Sequence, residues 1–210
     1  MYNKSMNIVS YLKDIYGYST PIFLKDIRIG RKSKEAIRKE LSRAVENGEI
    51  ERKKNGIYYF KEEFDSLTFD KIVEKKFIKD DYDLPGLDLD IYGYYSGETF
   101  LNMIGISQQV PAILQIVTNN TSCKREYQIG NRKAIIKKGR IRIDRFNYKA
   151  LQFFEMIEHL SIDEIKENKK LLEDYITNNL YKSHFEKYIE FYSVKTLKKL
   201  VEGGLLYAFR

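Results

Sequence analysis

The sequence predicts an α+β protein, and three observations carry the prediction. Apolar residues recur at helical spacing across residues 8–45. An Asn55-Gly56 pair then joins two short strand-like runs. Beyond residue 112, β-branched runs give way to a long helical tail. The chain has 210 residues, 43% hydrophobic and 32% charged, a balance that supports a core rather than disorder.

Taken in order, residues 5–15 read as a first helix with Ile8, Leu12 and Ile15 on one face. Thr20-Pro21 is expected to open a short second helix carrying Phe23, Leu24 and Ile27, because proline suits a first helical position; Gly30 would end it. Ser33 caps a third helix that runs to Asn47-Gly48, with Ile37, Leu41, Ala44 and Val45 inward. Its outer face holds Lys32, Glu35, Lys39, Ser42, Arg43 and Glu46, with Arg38 at the edge. Residues 49–60 form a hairpin about Asn55-Gly56, since Asn and Gly tolerate positive φ. Three helices followed by a hairpin give the order of a winged helix-turn-helix over residues 1–62. In such a module Lys32, Ser33, Lys34, Arg38, Lys39, Ser42 and Arg43 would face a DNA groove, while Arg52, Lys53, Lys54 and Asn55 would lie along phosphates. The alternative is a small helical core with a solvated charged face, which Glu35 and Glu46 favour.

Residues 63–92 read as an acidic linker with one helix near 67–77. Its carboxylates around residues 80–83 lack the spacing of a calcium loop, so no metal is expected there. Residues 93–210 read as a mixed α/β domain with a helical tail. Ser96 caps a helix carrying Phe100, Leu101 and Ile104; Gly105 stops it; Pro111 blocks its return; and residues 112–118 form a buried strand. Residues 123–129 and 132–138 make a second hairpin about Gly130-Asn131, and residues 140–143 are expected to add a strand. Either Ala134 with Ile136, or Ile135, points inward. Lys124, Arg125, Arg132, Lys133, Lys137, Lys138, Arg140 and Arg142 would form a second basic surface, suited to nucleic acid or an acidic protein. In the tail, residues 148–160 form a helix with Leu151, Phe154 and Ile157 in register. A Ser161/Glu164 capping box opens a helix over 161–180, and two shorter helices follow over 183–192 and 194–201.

Charge sharpens this division. Residues 1–60 hold 13 Lys/Arg against 7 Asp/Glu, residues 61–91 hold 5 against 10, and residues 92–145 hold 9 against 3. The net charge of +7 thus lies in two basic blocks separated by an acidic one, which points to two surfaces with polyanionic partners. Enzyme chemistry finds no foothold. His159 and His184 have no metal-ligand spacing, Cys123 is a lone thiol without a partner base, and no phosphate-binding glycine loop occurs. Glu155, Glu158, Glu164 and Glu167 recur at spacings that suit ion pairs. The 17 tyrosines are spread through the chain, as core and rim residues would be. No cofactor is implied. One cysteine and no apolar run of about 18 residues suggest a cytoplasmic chain with no membrane partner.

Two stretches carry a family resemblance. RKSKEAIRKELSRAVENGEIERKKNGIYYF resembles the third helix and wing of the AbiEi-type antitoxins. YYSGETFLNMIGISQQVPAILQIVTNN, with its Gln109-Val110-Pro111 and the hairpin Tyr127–Arg132, looks like the start of that family's C-terminal domain. The resemblance covers roughly residues 5–145. It implies an antitoxin of a type IV toxin–antitoxin system, active in abortive infection and phage defence. Such a protein represses its own operon at inverted repeats through the winged helix. Its C-terminal domain neutralises a nucleotidyltransferase-like toxin without a stable complex. The competing readings are a stand-alone winged-helix transcriptional regulator that senses a ligand or protein, and an RNA-binding role for the second basic block.

Overall fold

The computed structural model describes residues 7–60, 66–80 and 90–209. The expected helix start at residues 5 and 6, and the acidic residues 81–86, lie outside the described residues. The chain divides into two compact units, residues 1–73 and 74–210. It is a mixed α+β protein: N-terminal helices with a small antiparallel sheet, a central mixed sheet and a helical C-terminal region.

In the first unit, α1 spans Ile8–Tyr16 and is capped by Asn7, whose side chain accepts from the Val9 amide at 3.0 Å. Tyr11 takes the inward place predicted for Ile15: Tyr11 is 9% exposed and its hydroxyl donates to the Arg28 carbonyl at 2.6 Å, while Ile15 is 48% exposed. No second helix forms. Strand β1 (Ile22–Phe23) and a turn occupy that stretch. The reason is tertiary pairing. After α2 (Lys34–Glu46) come β2 (Glu51–Lys54) and β3 (Ile57–Tyr59), and β1 pairs antiparallel with β3 as Ile22↔Tyr58 and Phe23↔Ile57. The Leu24 amide adds a bond to the Gly56 carbonyl at 2.8 Å. The sheet order β1-β3-β2 thereby covers an edge of β3, a strand buried at every position. Gly56 takes the positive φ of the hairpin turn, at 74°, and a register shift between Arg52 and Lys54 absorbs the remainder.

Helix α3 spans Ser66–Phe77, and the division between units falls within it, at Val73/Glu74. The second unit contains β4 (Gly93–Tyr95), α4 (Gly97–Met103), β5 (Ile113–Thr118), β6 (Arg125–Ile129) and β7 (Arg132–Lys138), in sheet order β4-β5-β7-β6. Parallel pairing of β5 with β7 sets Leu114 beside Ala134 and Ile116 beside Ile136. That settles the open register: Ala134 and Ile136 are fully buried and Ile135 is half-buried. Gly93 admits no side chain, because a Cβ there would sit 2.0 Å from the Phe77 carbonyl oxygen. Gly105 stops α4 at φ 84°, as predicted. Ser96 stands at the N-cap of α4, yet its hydroxyl makes no capping bond and is buried without a partner among the described residues. Residues 140–143 form no strand. The Asn119 side chain takes the place of one, accepting from the Ile143 amide at 2.9 Å and donating to its carbonyl at 2.7 Å.

The tail contributes α5 (Tyr148–His159), α6 (Ile162–Glu167), α7 (Lys169–Asn179), α8 (Lys182–Tyr188), a 3-10 turn at Ile189–Phe191, α9 (Val194–Glu202) and a last turn at Leu206–Ala208. The Ser161/Glu164 box opens α6, but the single predicted helix over 161–180 breaks at Asn168, whose side chain donates to the Glu164 carbonyl at 2.9 Å. Helix α5 is the centre of the core. Phe153 stacks on Tyr175 with ring centroids 5.7 Å apart, and Phe154 on Phe209 at 6.3 Å. Lys199 of α9 turns its ammonium onto the end of α5, donating to the carbonyls of Ile157 at 3.3 Å, of Glu158 at 2.8 Å and of Leu160. Carbonyls at a helix C-terminus lack intrahelical partners and carry partial negative charge, so a cation suits them.

Candidate nucleic-acid interface

Helix α2 presents the first basic set. Ser33 caps it by accepting from the Ala36 amide at 3.2 Å; Ile37, Leu41 and Ala44 anchor the inner face; and Gly48 at φ 73° lets the chain leave for the hairpin. The opposite face is exposed, and neighbouring carboxylates sort its cations. Lys32 Nζ lies 2.7 Å and 2.8 Å from the two carboxylate oxygens of Glu40. Arg38 lies 3.7 Å from Glu35, and the Ser42 hydroxyl donates to Glu46 at 3.2 Å. In the hairpin, Lys53 pairs with Glu51, Arg52 donates to the Asn55 side chain at 2.6 Å, and Lys54 is exposed. Among the described residues Lys34, Lys39 and Arg43 have no ion pair, and Lys39 and Arg43 stand one turn apart on the same face. They are the side chains freest to meet an anion.

A cleft of about 290 Å³ opens where α2 meets the hairpin, lined by Leu24, Arg38, Ser42, Val45, Arg52, Gly56 and Tyr58. The structure thus brings Arg38 and Ser42 of the helix to Arg52 of β2, three positions singled out from sequence. It also exposes Arg31 on the Gly30 turn just before α2. Sequence reading passed over Arg31 by assigning the turn to helix termination; the run Arg31-Lys32-Ser33-Lys34 was the available signal.

The second basic set does not lie on one face. Cross-strand pairs put Arg125, Arg132 and Lys138 on the side of the sheet shared by the buried Ala134 and Ile136. Lys133 and Lys137 point to the other side with Ile135. Lys133 pairs with Glu126 at 2.9 Å. Arg140 pairs with Glu158 and covers the Tyr192 ring at 4.8 Å, which ties it to the helical tail. Lys124 and Arg142 are exposed outside the strands. Arg125 lies 5.8 Å from the Phe77 ring and Lys76 5.0 Å from the Tyr127 ring. Burial pushes the Tyr127 phenol up to about 12, against the pull of Arg125.

The remaining titratable groups are structural in placement. Glu155 is buried and accepts from the Tyr94 hydroxyl at 2.9 Å. Burial, with Glu155 and Tyr192 beside it, drives the Tyr94 phenol well above its ordinary range. His159 is exposed at the end of α5. His184 accepts from the Tyr181 amide at 3.1 Å through Nδ1, and burial with Lys187 nearby lowers its pKa. The bonds from Ser161 hold the Glu164 carboxyl below its ordinary value. Cys123 is exposed. Among the described residues, no group of three or more His, Cys, Asp or Glu is placed to hold a metal, and no helix is long and apolar enough to cross a membrane.

No protein-family model, no curated protein and no solved structure matches this chain.

Proposed function

We propose that this protein is a DNA-binding autorepressor and antitoxin of the kind its sequence resembles, the type IV abortive-infection antitoxins. In this reading the first unit is a winged helix that binds inverted operator repeats, and the second relieves a nucleotidyltransferase-like toxin without a lasting complex. One observation carries the proposal: an exposed cationic face on α2, centred on Lys39 and Arg43, adjoins a basic hairpin in a β1-β3-β2 sheet. The module departs from the expected three helices, because β1 and a turn stand in the place of the middle one.

A second reading, a stand-alone winged-helix regulator, gains from the dispersal of the second basic set over two faces. Co-expression separates the two. An antitoxin restores growth to cells making the nucleotidyltransferase encoded beside it, and a variant lacking residues 1–60 still does so at least in part. Growth arrest that persists despite soluble full-length protein would eliminate the antitoxin reading and leave the regulator.

A further inference from the structure

Two periodicities build the cleft between α2 and the hairpin. Arg38, Ser42 and Val45 stand at helical spacing on one face of α2. Arg52 and Tyr58 are cross-strand partners, so their side chains leave the hairpin on the same side. Leu24 and Gly56, joined by a main-chain hydrogen bond at 2.8 Å, complete the lining. Half-buried Leu24 and Val45 and buried Tyr58 supply apolar surface, while exposed Arg38 and Arg52 bring a guanidinium from each wall. Little competes for these cations. Arg38 lies 3.7 Å from Glu35 in a pair exposed on both sides, which is weak. Arg52 donates to the neutral Asn55 side chain at 2.6 Å and has no carboxylate partner among the described residues. Glu46, which accepts from the Ser42 hydroxyl at 3.2 Å, is exposed and screened by water.

We infer that the cleft binds a small phosphomonoester with an aromatic body, and that this ligand and DNA exclude each other. The two guanidiniums set the head group. A carboxylate has one charge and fills one guanidinium fork, whereas a phosphomonoester carries between about 1.5 and 2 negative charges on three terminal oxygens and can accept from both. The apolar lining sets the body, because a ring against Tyr58, Val45 and Leu24 leaves water. The volume of about 290 Å³ lies at the foot of the roughly 300–1,000 Å³ range of small-molecule sites, which suits a phosphate with one ring. A DNA phosphodiester, with one charge, would draw on the same Arg38 and Arg52, hence the exclusion. The exclusion rests on the DNA-binding reading; the ligand site does not.

NMR titration of the full-length, isotope-labelled protein with phenyl phosphate tests the site. Amide shifts should saturate at Ser42 and Gly56, with a dissociation constant about tenfold lower than for inorganic phosphate, which lacks the ring, or for benzoate, which lacks the second charge. Arg38→Gln and Arg52→Gln should each weaken binding about tenfold, whereas Lys195→Ala, an equal loss of charge at an exposed position of the other unit, should not. Both arginines are exposed, and the same spectra show that the variants fold. No saturating shift overturns the inference. Equal affinity for inorganic phosphate overturns it as well and leaves an adventitious anion contact only. Benzoate bound as tightly as phenyl phosphate overturns the phosphomonoester. Indifference to either arginine variant, or an equal loss with Lys195→Ala, places binding elsewhere and overturns the site. Fluorescence anisotropy of a labelled duplex tests the exclusion: at matched ionic strength, saturating phenyl phosphate should lower DNA affinity about fivefold or more. A duplex that binds and is not released overturns the exclusion alone. A duplex that never binds overturns the exclusion together with the DNA reading, and the ligand site stands.

Discussion

The two basic blocks of this chain have nearly the same charge and use it differently. On α2 the helical period gathers Lys39 and Arg43 onto one solvent face, with no ion pair among the described residues. On β6 and β7 the two-residue period sends alternate cations to opposite sides of a sheet, and Glu126 and Glu158 engage Lys133 and Arg140. Charge counted along a sequence therefore predicts a surface well on a helix and poorly on a strand. The arrangement differs too: α2 leaves Lys39 and Arg43 exposed without an ion pair among the described residues, whereas part of the second set, Lys133 and Arg140, is engaged within its own unit.

Substitutions can break or sharpen that contrast. The largest effect should come from the scaffold. Phe154→Ala removes a fully buried ring that stacks on Phe209, and should cost about 3–5 kcal/mol in thermal or urea unfolding of the second unit. If α2 alone carries nucleic-acid affinity, binding should survive that loss below the unfolding transition. Next, Lys39→Ala with Arg43→Ala should weaken DNA binding about tenfold near 0.1 M salt and flatten the salt dependence by nearly one unit per lost phosphate contact. Lys133→Ala with Lys137→Ala should change affinity less than about twofold, because those cations share no face with Arg125 or Arg132. Equal effects from the two pairs, measured by fluorescence anisotropy, would erase the distinction. A smaller loss, about 1 kcal/mol in chemical denaturation, is expected for Arg140→Ala, whose partly exposed pair and cation–π contact join the hairpin's end to the tail.

The smallest effect is one of pH. A His184 pKa lowered in the fold means that the folded state binds the proton less readily than the unfolded chain. Its contribution is present above the ordinary value of 6.5 and is lost as pH falls through the lowered one. Protonation of Nδ1 also removes the acceptor of the Tyr181 amide at the start of α8. Melting temperature should fall slightly between pH 7.5 and pH 5.5, and His184→Gln, which keeps an acceptor, should flatten that slope. Glu164, likewise lowered, extends the loss below its ordinary value of 4.5.

What could be read in advance follows from the same periodicities. Helices α2 and α5, the Gly105 stop and the Ser161/Glu164 box are local patterns, and each stands where the sequence put it. Strand β1 has two residues, too few to show a period, and it exists because β3 offers an edge. The break at Asn168 rests on one side-chain bond, and the choice of Ile136 over Ile135 on the parallel neighbour β5. On the candidate interface, the outward residues of α2 were legible. The capture of Lys32 by Glu40 was less so, because eight residues separate them and that pair forms only once the chain has turned at Gly30 and Ser33.

The position of Lys199 has a chemical consequence. Its amine donates to main-chain carbonyls at the end of α5, whereas Lys195 is exposed and Lys198, also exposed, lies 3.5 Å from Glu202. An acylating reagent must reach the amine, and that of Lys199 is held against the carbonyls of Ile157, Glu158 and Leu160. Brief labelling of the folded protein should therefore mark Lys195 and Lys198 and leave Lys199 unmodified. Late labelling of Lys199 would then report that α9 has lifted off α5.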